Sequence, residues 1–110
     1  MPNYSRNEVV LVRVVFSNQS GAKVRPAVVV SGPHVSRDLF VVPLTSRTTG
    51  LLPGEFQLAD WARAGLNVSS AVKRALVTVH ENLVLKSLGA LSPTDAESLE
   101  KSLRLWLPLG

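Results

Sequence analysis

Two short stretches of the chain carry side chains that suit chemistry on a phosphodiester. Arg25 stands directly before Pro26, which favours an extended backbone, so we expect Arg25 at the mouth of a valine-rich strand. A guanidinium stays charged and can grip two phosphate oxygens at once. Thr45, Ser46 and Arg47 follow a second valine-rich run. Taken alone, however, Arg25 is better explained as a cation that solvates a strand end.

The remaining candidates also have structural explanations. Lys73 and Arg74 lie inside a strand pattern whose alternation sends them to opposite faces, so at most one can serve a shared site. The hydroxyls of Thr45 and Ser46 stand at a strand end, where such groups usually bond their own backbone. The residue types are therefore suggestive without being decisive.

Several kinds of chemistry are disfavoured by what the sequence lacks. No cysteine is present, so thiol nucleophiles and thiolate zinc sites are excluded. There is no phosphate-binding glycine loop, no dinucleotide fingerprint and no His-Glu-x-x-His motif. The carboxylates show no pair at ligand spacing, and His34 and His80 are far apart, so we expect no metal and no cofactor. Metal-free RNA cleavage stays open because the substrate's 2′-hydroxyl is itself the nucleophile.

Positive charge is concentrated in the first two thirds of the chain. The formal net charge is +4, and residues 1–74 contain nine of the twelve lysines and arginines against four acidic residues. This favours a polyanionic partner, although a soluble domain without such a partner would fit nearly as well. The apolar runs are too short to span a membrane and no signal peptide is visible, so we expect a cytoplasmic protein.

The hydrophobic patterns predict a mainly β fold. Strands are expected over residues 8–16, 26–31, 39–44, 55–58 and 70–79, with a small pair around 82–91. The first strand should present one apolar face, formed by Val10, Val12, Val14 and Phe16. Residues 59–64 are expected to form a turn of helix that ends at Gly65.

The clearest predicted element is a helix at the end of the chain. Ser92 is a typical N-cap, Pro93 fits the first helical position, and Asp95 suits the helix N-terminus. An apolar stripe at helical spacing follows, made of Ala96, Leu99, Leu103 and Trp106. Five to seven strands with this helix predict one α+β domain over residues 1–110, built as a small barrel.

Four segments resemble the MazF/PemK family of toxin endoribonucleases in content, order and spacing. The most specific part is Lys-x-Arg-Pro-Ala-Val-Val-Val-Ser at 23–31. With the terminal helix, the resemblance covers nearly the whole chain. The four segments are Arg-Asn-Glu-Val-Val-Leu-Val at 6–12, Ala-Lys-Val-Arg-Pro-Ala-Val-Val-Val-Ser at 22–31, Val-Val-Pro-Leu-Thr-Ser at 41–46 and Ser-Ala-Val-Lys at 70–73.

The resemblance implies a fold, an activity and partners. The fold would be a barrel related to the SH3 and CcdB folds, assembled as a homodimer with single-stranded RNA bound along the dimer groove. Cleavage would need no metal and would give a 2′,3′-cyclic phosphate and a 5′-hydroxyl. A cognate antitoxin would neutralise the enzyme; we expect it to be small, acidic and partly disordered.

The resemblance also implies roles for individual residues. Arg25 matches the family's catalytic arginine at the Arg-Pro step, and Thr45 matches a catalytic threonine after the third strand. RNA-binding roles are expected for Lys23, Ser46, Arg47 and Lys73.

The chain departs from the family pattern at three points, one of which is a short loop after the first strand without the Glu common in this family. Many relatives have glycine where Asn7 stands. In the PemK/Kid branch an Arg-x-Asp arrangement assists catalysis, whereas the corresponding stretch here reads Lys73-Arg74-Ala75. The carboxylate is missing from this stretch, so an acid or base has to come from elsewhere.

Two other functions fit parts of the sequence. A non-catalytic nucleic-acid-binding barrel would keep the basic residues without reactive geometry. A gyrase inhibitor on the CcdB fold is the second, but those proteins depend on a Trp-Gly-Ile end, whereas residues 105–110 read Leu-Trp-Leu-Pro-Leu-Gly.

Overall fold

Seven antiparallel strands in one sheet and one C-terminal α-helix make up the part of the chain that the computed structural model describes, residues 4–14 and 23–109. A short 3-10 helix (Glu81–Leu83) precedes the last strand, and α1 spans Pro93–Trp106. This confirms the predicted mainly β fold with a C-terminal helix. The strands are β1 (Glu8–Val14), β2 (Lys23–Val29), β3 (Asp38–Thr45), β4 (Phe56–Gln57), β5 (Ala71–Val72), β6 (Val77–His80) and β7 (Val84–Ala90).

Strand β3 is central, because it pairs with three other strands. The order across the sheet is β4-β5-β3-β2-β1-β7, and β6 also pairs with β3. On one side, β2 runs antiparallel to β3 with Ala27 opposite Pro43. On the other side, β6 pairs with the beginning of β3 and β5 pairs with its end, at Leu44 and Thr45. The end of β3 therefore lies between β2 and β5.

Strand β1 is buried on both faces because apolar clusters lie on either side of it. Val9 packs in one cluster, whereas Val10, Val12 and Val14 pack in the other. Burial of a valine side chain contributes about 1.5 kcal/mol or more, so β1 anchors the whole sheet. The predicted apolar face is confirmed at these three positions, and Phe16 lies outside the described residues.

Helix α1 begins as predicted and is tied to a distant loop. The Ser92 hydroxyl accepts a hydrogen bond from the backbone N–H of Asp95 (3.2 Å), and Pro93 lies in the first turn. The buried Asp95 carboxylate in turn accepts from the backbone N–H groups of Ala59 and Asp60, at 2.9 Å each. The predicted stripe packs on the cluster around Val9; its residues are Ala96, Leu99, Leu103 and Trp106.

Strand β2 begins earlier than predicted, which changes the position of Arg25. Lys23 is already paired with Val14, whereas pairing with β3 starts only at Ala27. Pro26 therefore lies inside β2 at a point where the side facing β3 is still open, and its missing N–H costs no bond there. Arg25 is a strand residue opposite Val12 rather than the residue at the mouth of the strand.

The predicted long strand over 70–79 is wrong, because two short strands are separated by residues 73–76. These four residues face only two residues of β3, so the chain has to bulge away. The N–H of Ala75 donates to the carbonyl of Lys73 at 2.8 Å, which turns the backbone sharply. Strand alternation therefore does not decide where Lys73 and Arg74 point.

Two further predicted elements differ from the structure. Residues 59–65 form hydrogen-bonded turns instead of a helix; the N–H of Ala64 donates to Asp60, and Gly65 has a positive φ of 89°. The expected local pair of strands around 82–91 is instead the single strand β7, which pairs with β1 far away in sequence. Both segments depend on partners that local patterns do not reveal.

Asn7 adopts the left-handed backbone conformation at the entrance to β1. Its φ is 74°, a region that glycine enters freely and asparagine tolerates better than most residues. This explains physically why glycine and asparagine can alternate at this position. Within the described residues, no helix has the length and apolar character needed to cross a membrane.

Candidate active site

Strands β2 and β3 bring Arg25 and Thr45 to the same end of the sheet. Ala27 and Pro43 are the last paired residues there, and Arg25 and Thr45 each lie two residues further along their strands. The register therefore brings the backbones of Arg25 and Thr45 to the same end of the sheet. We refer to this region as the cationic end, defined by Lys23, Arg25, Thr45, Ser46, Arg47 and Lys73.

Strand β5 runs antiparallel to β3 and places Lys73 on the side of β3 away from β2, level with Pro43. The backbone N–H of Lys73 donates to the carbonyl of Pro43 at 3.0 Å, so Lys73 lies beside the strand that carries Thr45. Lys23 opens β2 and, like Arg25 and Lys73, is exposed. Cations from three neighbouring strand segments therefore meet at one end of the sheet.

The Thr45 hydroxyl is held by the turn that follows it. Its oxygen accepts a hydrogen bond from the backbone N–H of Arg47 at 3.1 Å, which is the local bond expected of a hydroxyl at a strand end. A hydroxyl that accepts can still donate its hydrogen, because it has one donor and two acceptor sites. The half-buried Thr45 can therefore donate to a phosphate oxygen while the turn fixes its position.

A hollow of about 310 Å³ opens beside the cationic end. Arg25 and Ser46 line it together with apolar side chains such as Leu66. Lys86 of β7 lines it as well, a cation that the sequence patterns did not single out. Thr45 does not line the hollow, so Arg25 and Thr45 share an end of the sheet, whereas Arg25 shares this space with Ser46.

Glu55 is a further residue of this region that the sequence analysis missed. Its carboxylate accepts hydrogen bonds from the backbone N–H groups of Leu52 and Arg74, at 2.7 Å each. Desolvation raises the pKa of Glu55, but these two N–H donors and the nearby charges of Lys73 and Arg47 outweigh it, so the pKa lies below its ordinary value. Glu55 is therefore a carboxylate ion at neutral pH that stands beside the cations.

Three cations of this end are not neutralised by ion pairs with the described carboxylates. Within residues 4–14 and 23–109, no carboxylate forms an ion pair with Lys23, Arg25 or Arg47. Unpaired arginines keep all their donors for a ligand. The arrangement therefore suits a polyanion, which would supply the missing negative charge.

The histidines lie away from this cluster. His34 follows the far end of β2, and His80 is opposite Asp38 at the beginning of β3. The ring of His80 accepts from the backbone N–H of Asn82 at 3.1 Å, which caps the 3-10 helix. Both histidines thus stand at the end of the sheet opposite the cationic end.

Neither tryptophan nor a ligand cluster adds to the site. Trp61 and Trp106 are half-buried and pack against the cluster around Val9. No group of three histidine or acidic side chains suited to hold a metal ion occurs in the portion of the chain that the structure describes.

The fold is shared with solved structures of toxins and ribonucleases. An endoribonuclease in complex with its cognate antitoxin from Mycobacterial species aligns with a TM-score of 0.73 and 18% identity, over 100% of this chain and 98% of that one. Mycobacterium tuberculosis toxin MazF-mt6 aligns with a TM-score of 0.74 and 20% identity, over 94% and 98%. A chain of the MazE-MazF crystal structure from Deinococcus radiodurans aligns with a TM-score of 0.75 and 23% identity, over 97% and 98%. At these identities the likeness establishes the fold.

Sequence comparison adds the family. The model of the PemK-like, MazF-like toxins of type II toxin-antitoxin systems matches residues 5–107. No curated protein matches the chain significantly in sequence. The chain belongs to the PemK-like, MazF-like toxin family, which confirms the resemblance inferred from its four sequence segments.

Proposed function

We propose that this toxin is an endoribonuclease that cuts single-stranded mRNA at the cationic end without a metal ion or cofactor. The observation that supports the proposal is that Arg25 and Thr45 lie at the same end of two neighbouring strands, with Arg25 in no ion pair with any described carboxylate. Family membership supports the activity, since relatives with this fold are described as endoribonucleases.

The chemistry follows from the substrate and these two side chains. The ribose 2′-hydroxyl attacks the adjacent phosphorus and passes its proton to solvent water, while the bond to the 5′ oxygen breaks and that oxygen takes up a proton from water. Arg25 stabilises the negative charge that builds on the phosphorane oxygens, and Thr45 donates its hydroxyl hydrogen to orient the phosphate. The products are a 2′,3′-cyclic phosphate and a 5′-hydroxyl, and no metal is needed because the nucleophile belongs to the substrate.

The other members of the cationic end hold the RNA. Lys23, Arg47 and Lys73 are exposed cations that contact flanking phosphates, and Ser46 contributes a hydroxyl beside the hollow. Such contacts release counterions from the nucleic acid, so binding weakens steeply as salt rises.

The partners of the toxin follow from the same charge. A cognate antitoxin would lay an acidic segment over the cationic end, and relatives solved with an antitoxin support this assignment. The active form would be a homodimer whose groove contains both cationic ends, working in the cytoplasm.

Incubation of pure protein with a long RNA in excess chelator tests this function. We expect defined fragments whose 5′ ends are hydroxyls and whose 3′ ends carry a cyclic phosphate. RNA that is shifted in a gel but never shortened would identify a non-catalytic binding barrel instead. Fragments that form only after Mg²⁺ is restored would refute the metal-free mechanism.

A further inference from the structure

A tight turn lies between the C-terminal helix and the cationic end. The N–H of Glu55 donates to the carbonyl of Leu52 at 2.9 Å, and Pro53 and Gly54 occupy the two central positions. Gly54 has a φ of 87°, as the third residue of a type II turn requires. The sequence Leu-Pro-Gly-Glu thus specifies this turn locally.

The helix fixes this turn through two hydrogen bonds. Trp106 donates its indole N–H to the carbonyl of Pro53 at 3.0 Å, and the Ser102 hydroxyl donates to the carbonyl of Gly54 at 2.6 Å. A side chain at Gly54 would collide with the Trp106 ring. The turn is therefore fixed against α1, and the Glu55 side chain extends from this fixed turn.

The Glu55 carboxylate also binds residues 73–76, the segment that separates strands β5 and β6. One oxygen closes the turn at Leu52, and the other accepts the N–H of Arg74, a residue 19 positions further along the chain. In the same segment the N–H of Lys73 is bound to β3 through Pro43. Glu55 and β3 together thus set the path of the backbone that carries Lys73.

We propose that Glu55 is a positioning residue, which holds the Lys73–Arg74 backbone and thereby places Lys73 to bind the RNA phosphates. This inference rests on the proposed function, because it names how the RNA-binding part of the same site is built. Glu55 itself does not touch the reacting atoms, since both of its oxygens are bonded to backbone N–H groups.

The direction in which KM changes distinguishes a positioning role of Glu55 from a purely electrostatic effect of its charge. A carboxylate next to a phosphate-binding surface repels RNA, so its neutralisation alone would tighten binding. Loss of a positioning residue would weaken binding, because the backbone that carries Lys73 would no longer be fixed at Arg74. The two explanations predict opposite changes in KM.

The test compares Glu55→Gln with Glu97→Gln, which removes the same charge from the exposed face of α1. An amide can accept through one atom only, so Glu55→Gln loses one of the two N–H contacts. We expect its KM for single-stranded RNA to rise about fivefold, in line with the loss of one such hydrogen bond, while kcat stays within about twofold. Glu97→Gln should leave both constants unchanged. An unchanged or lowered KM in Glu55→Gln would overturn the proposal.

Glu55→Asp separates geometry from charge and serves if the glutamine variant fails to fold. The aspartate keeps the charge but is one methylene too short to reach both N–H groups, so the same rise in KM is expected. A normal KM would contradict the positioning role. In Lys73→Ala, adding Glu55→Gln should raise KM much less than it does in the unsubstituted protein; a full additional increase would refute action through Lys73.

The outcome is separable from that of the proposed function. If the unsubstituted protein does not cut RNA, the proposed function fails. The hydrogen bond to Arg74 is then tested by the NMR shift of its amide, which should move in Glu55→Gln and not in Glu97→Gln. An Arg74 amide that is insensitive to Glu55→Gln would disprove the structural basis of the inference.

Discussion

Arginines at the two ends of the sheet differ in whether they form ion pairs. At the end opposite the active site, Arg37 pairs with Glu81, and on the helix Arg104 pairs with Glu100. At the cationic end, Arg25 has no carboxylate partner among residues 4–14 and 23–109. One acidic residue does lie there, but it binds backbone N–H groups with both oxygens.

This difference shows how the same residue type serves structure in one place and a ligand in another. An arginine in an ion pair has part of its donor fork occupied, and an exposed pair contributes little to stability. An arginine without such a pair has its full fork available for phosphate. The absence of ion pairs at Arg25, more than the number of basic residues, therefore supports the proposed location of the active site.

The largest effect is expected from Arg25→Ala. Removal of the group that meets charge on the phosphorane should lower kcat for RNA cleavage about 100-fold or more. Arg37→Ala is the matched control, since it deletes the same side chain from the paired end and should leave kcat unchanged. Steady-state cleavage of a labelled RNA oligonucleotide measures both. Equal losses of kcat in the two variants would contradict the proposed difference between the two ends of the sheet.

Removal of the Asp95 carboxylate should lower the stability of the fold and leave the rate of RNA cleavage unchanged. Asp95→Ala leaves the N–H groups of Ala59 and Asp60 without their acceptor, and we expect the free energy of unfolding to fall by about 2 kcal/mol. Denaturant unfolding followed by circular dichroism gives this value. The cleavage rate per folded molecule should not change, and a large drop in that rate would place Asp95 in the mechanism.

Lys73→Ala should weaken RNA binding and reduce its salt dependence. Loss of one phosphate contact on a single strand lowers the slope of log K against log salt by about 0.7. Lys101→Ala on the exposed face of α1 is the control, because Lys101 already pairs with Glu97. Fluorescence anisotropy at several salt concentrations measures both slopes. Identical slopes in the two variants would show that Lys73 makes no phosphate contact.

The smallest effect concerns pH. The pKa of Glu55 is lower in the folded protein than its ordinary value of 4.5, so its ionised form stabilises the fold above that value. This contribution is lost as the pH falls through the lower, folded pKa. The difference in unfolding free energy between the unsubstituted protein and Glu55→Gln should therefore shrink in acid. A difference in unfolding free energy that grows on acidification would contradict a lowered pKa of Glu55.

The sequence predicted the elements whose signals are local. The valine runs of β1, β2 and β3 and the Ser92-Pro93 start of α1 appear as expected, since burial and capping act over a few residues. Arg25 and Thr45 were singled out through residue type and the family motif, and their catalytic roles stay predictions. The register of β2 and β3 brings them to the same end of the sheet.

The parts that were missed depend on contacts distant in sequence. The strand over 70–79 breaks at a bulge that Glu55 holds through the N–H of Arg74, and β7 is specified by pairing with β1. Lys86 reaches the hollow only through that pairing. The Leu-Pro-Gly-Glu stretch is typical of a tight turn, but nothing local indicates which N–H groups the Glu55 carboxylate would bind.

The most direct test of the account is an NMR titration of the protein with an RNA that cannot be cut, because its scissile nucleotide contains deoxyribose. We predict that the amide signals of Arg25, Thr45 and Lys73 shift on titration with this RNA, while those of Arg37 and Glu81 stay in place. Shifts confined to the Arg37 and Glu81 end, with the cationic end silent, would contradict the assignment of the active site.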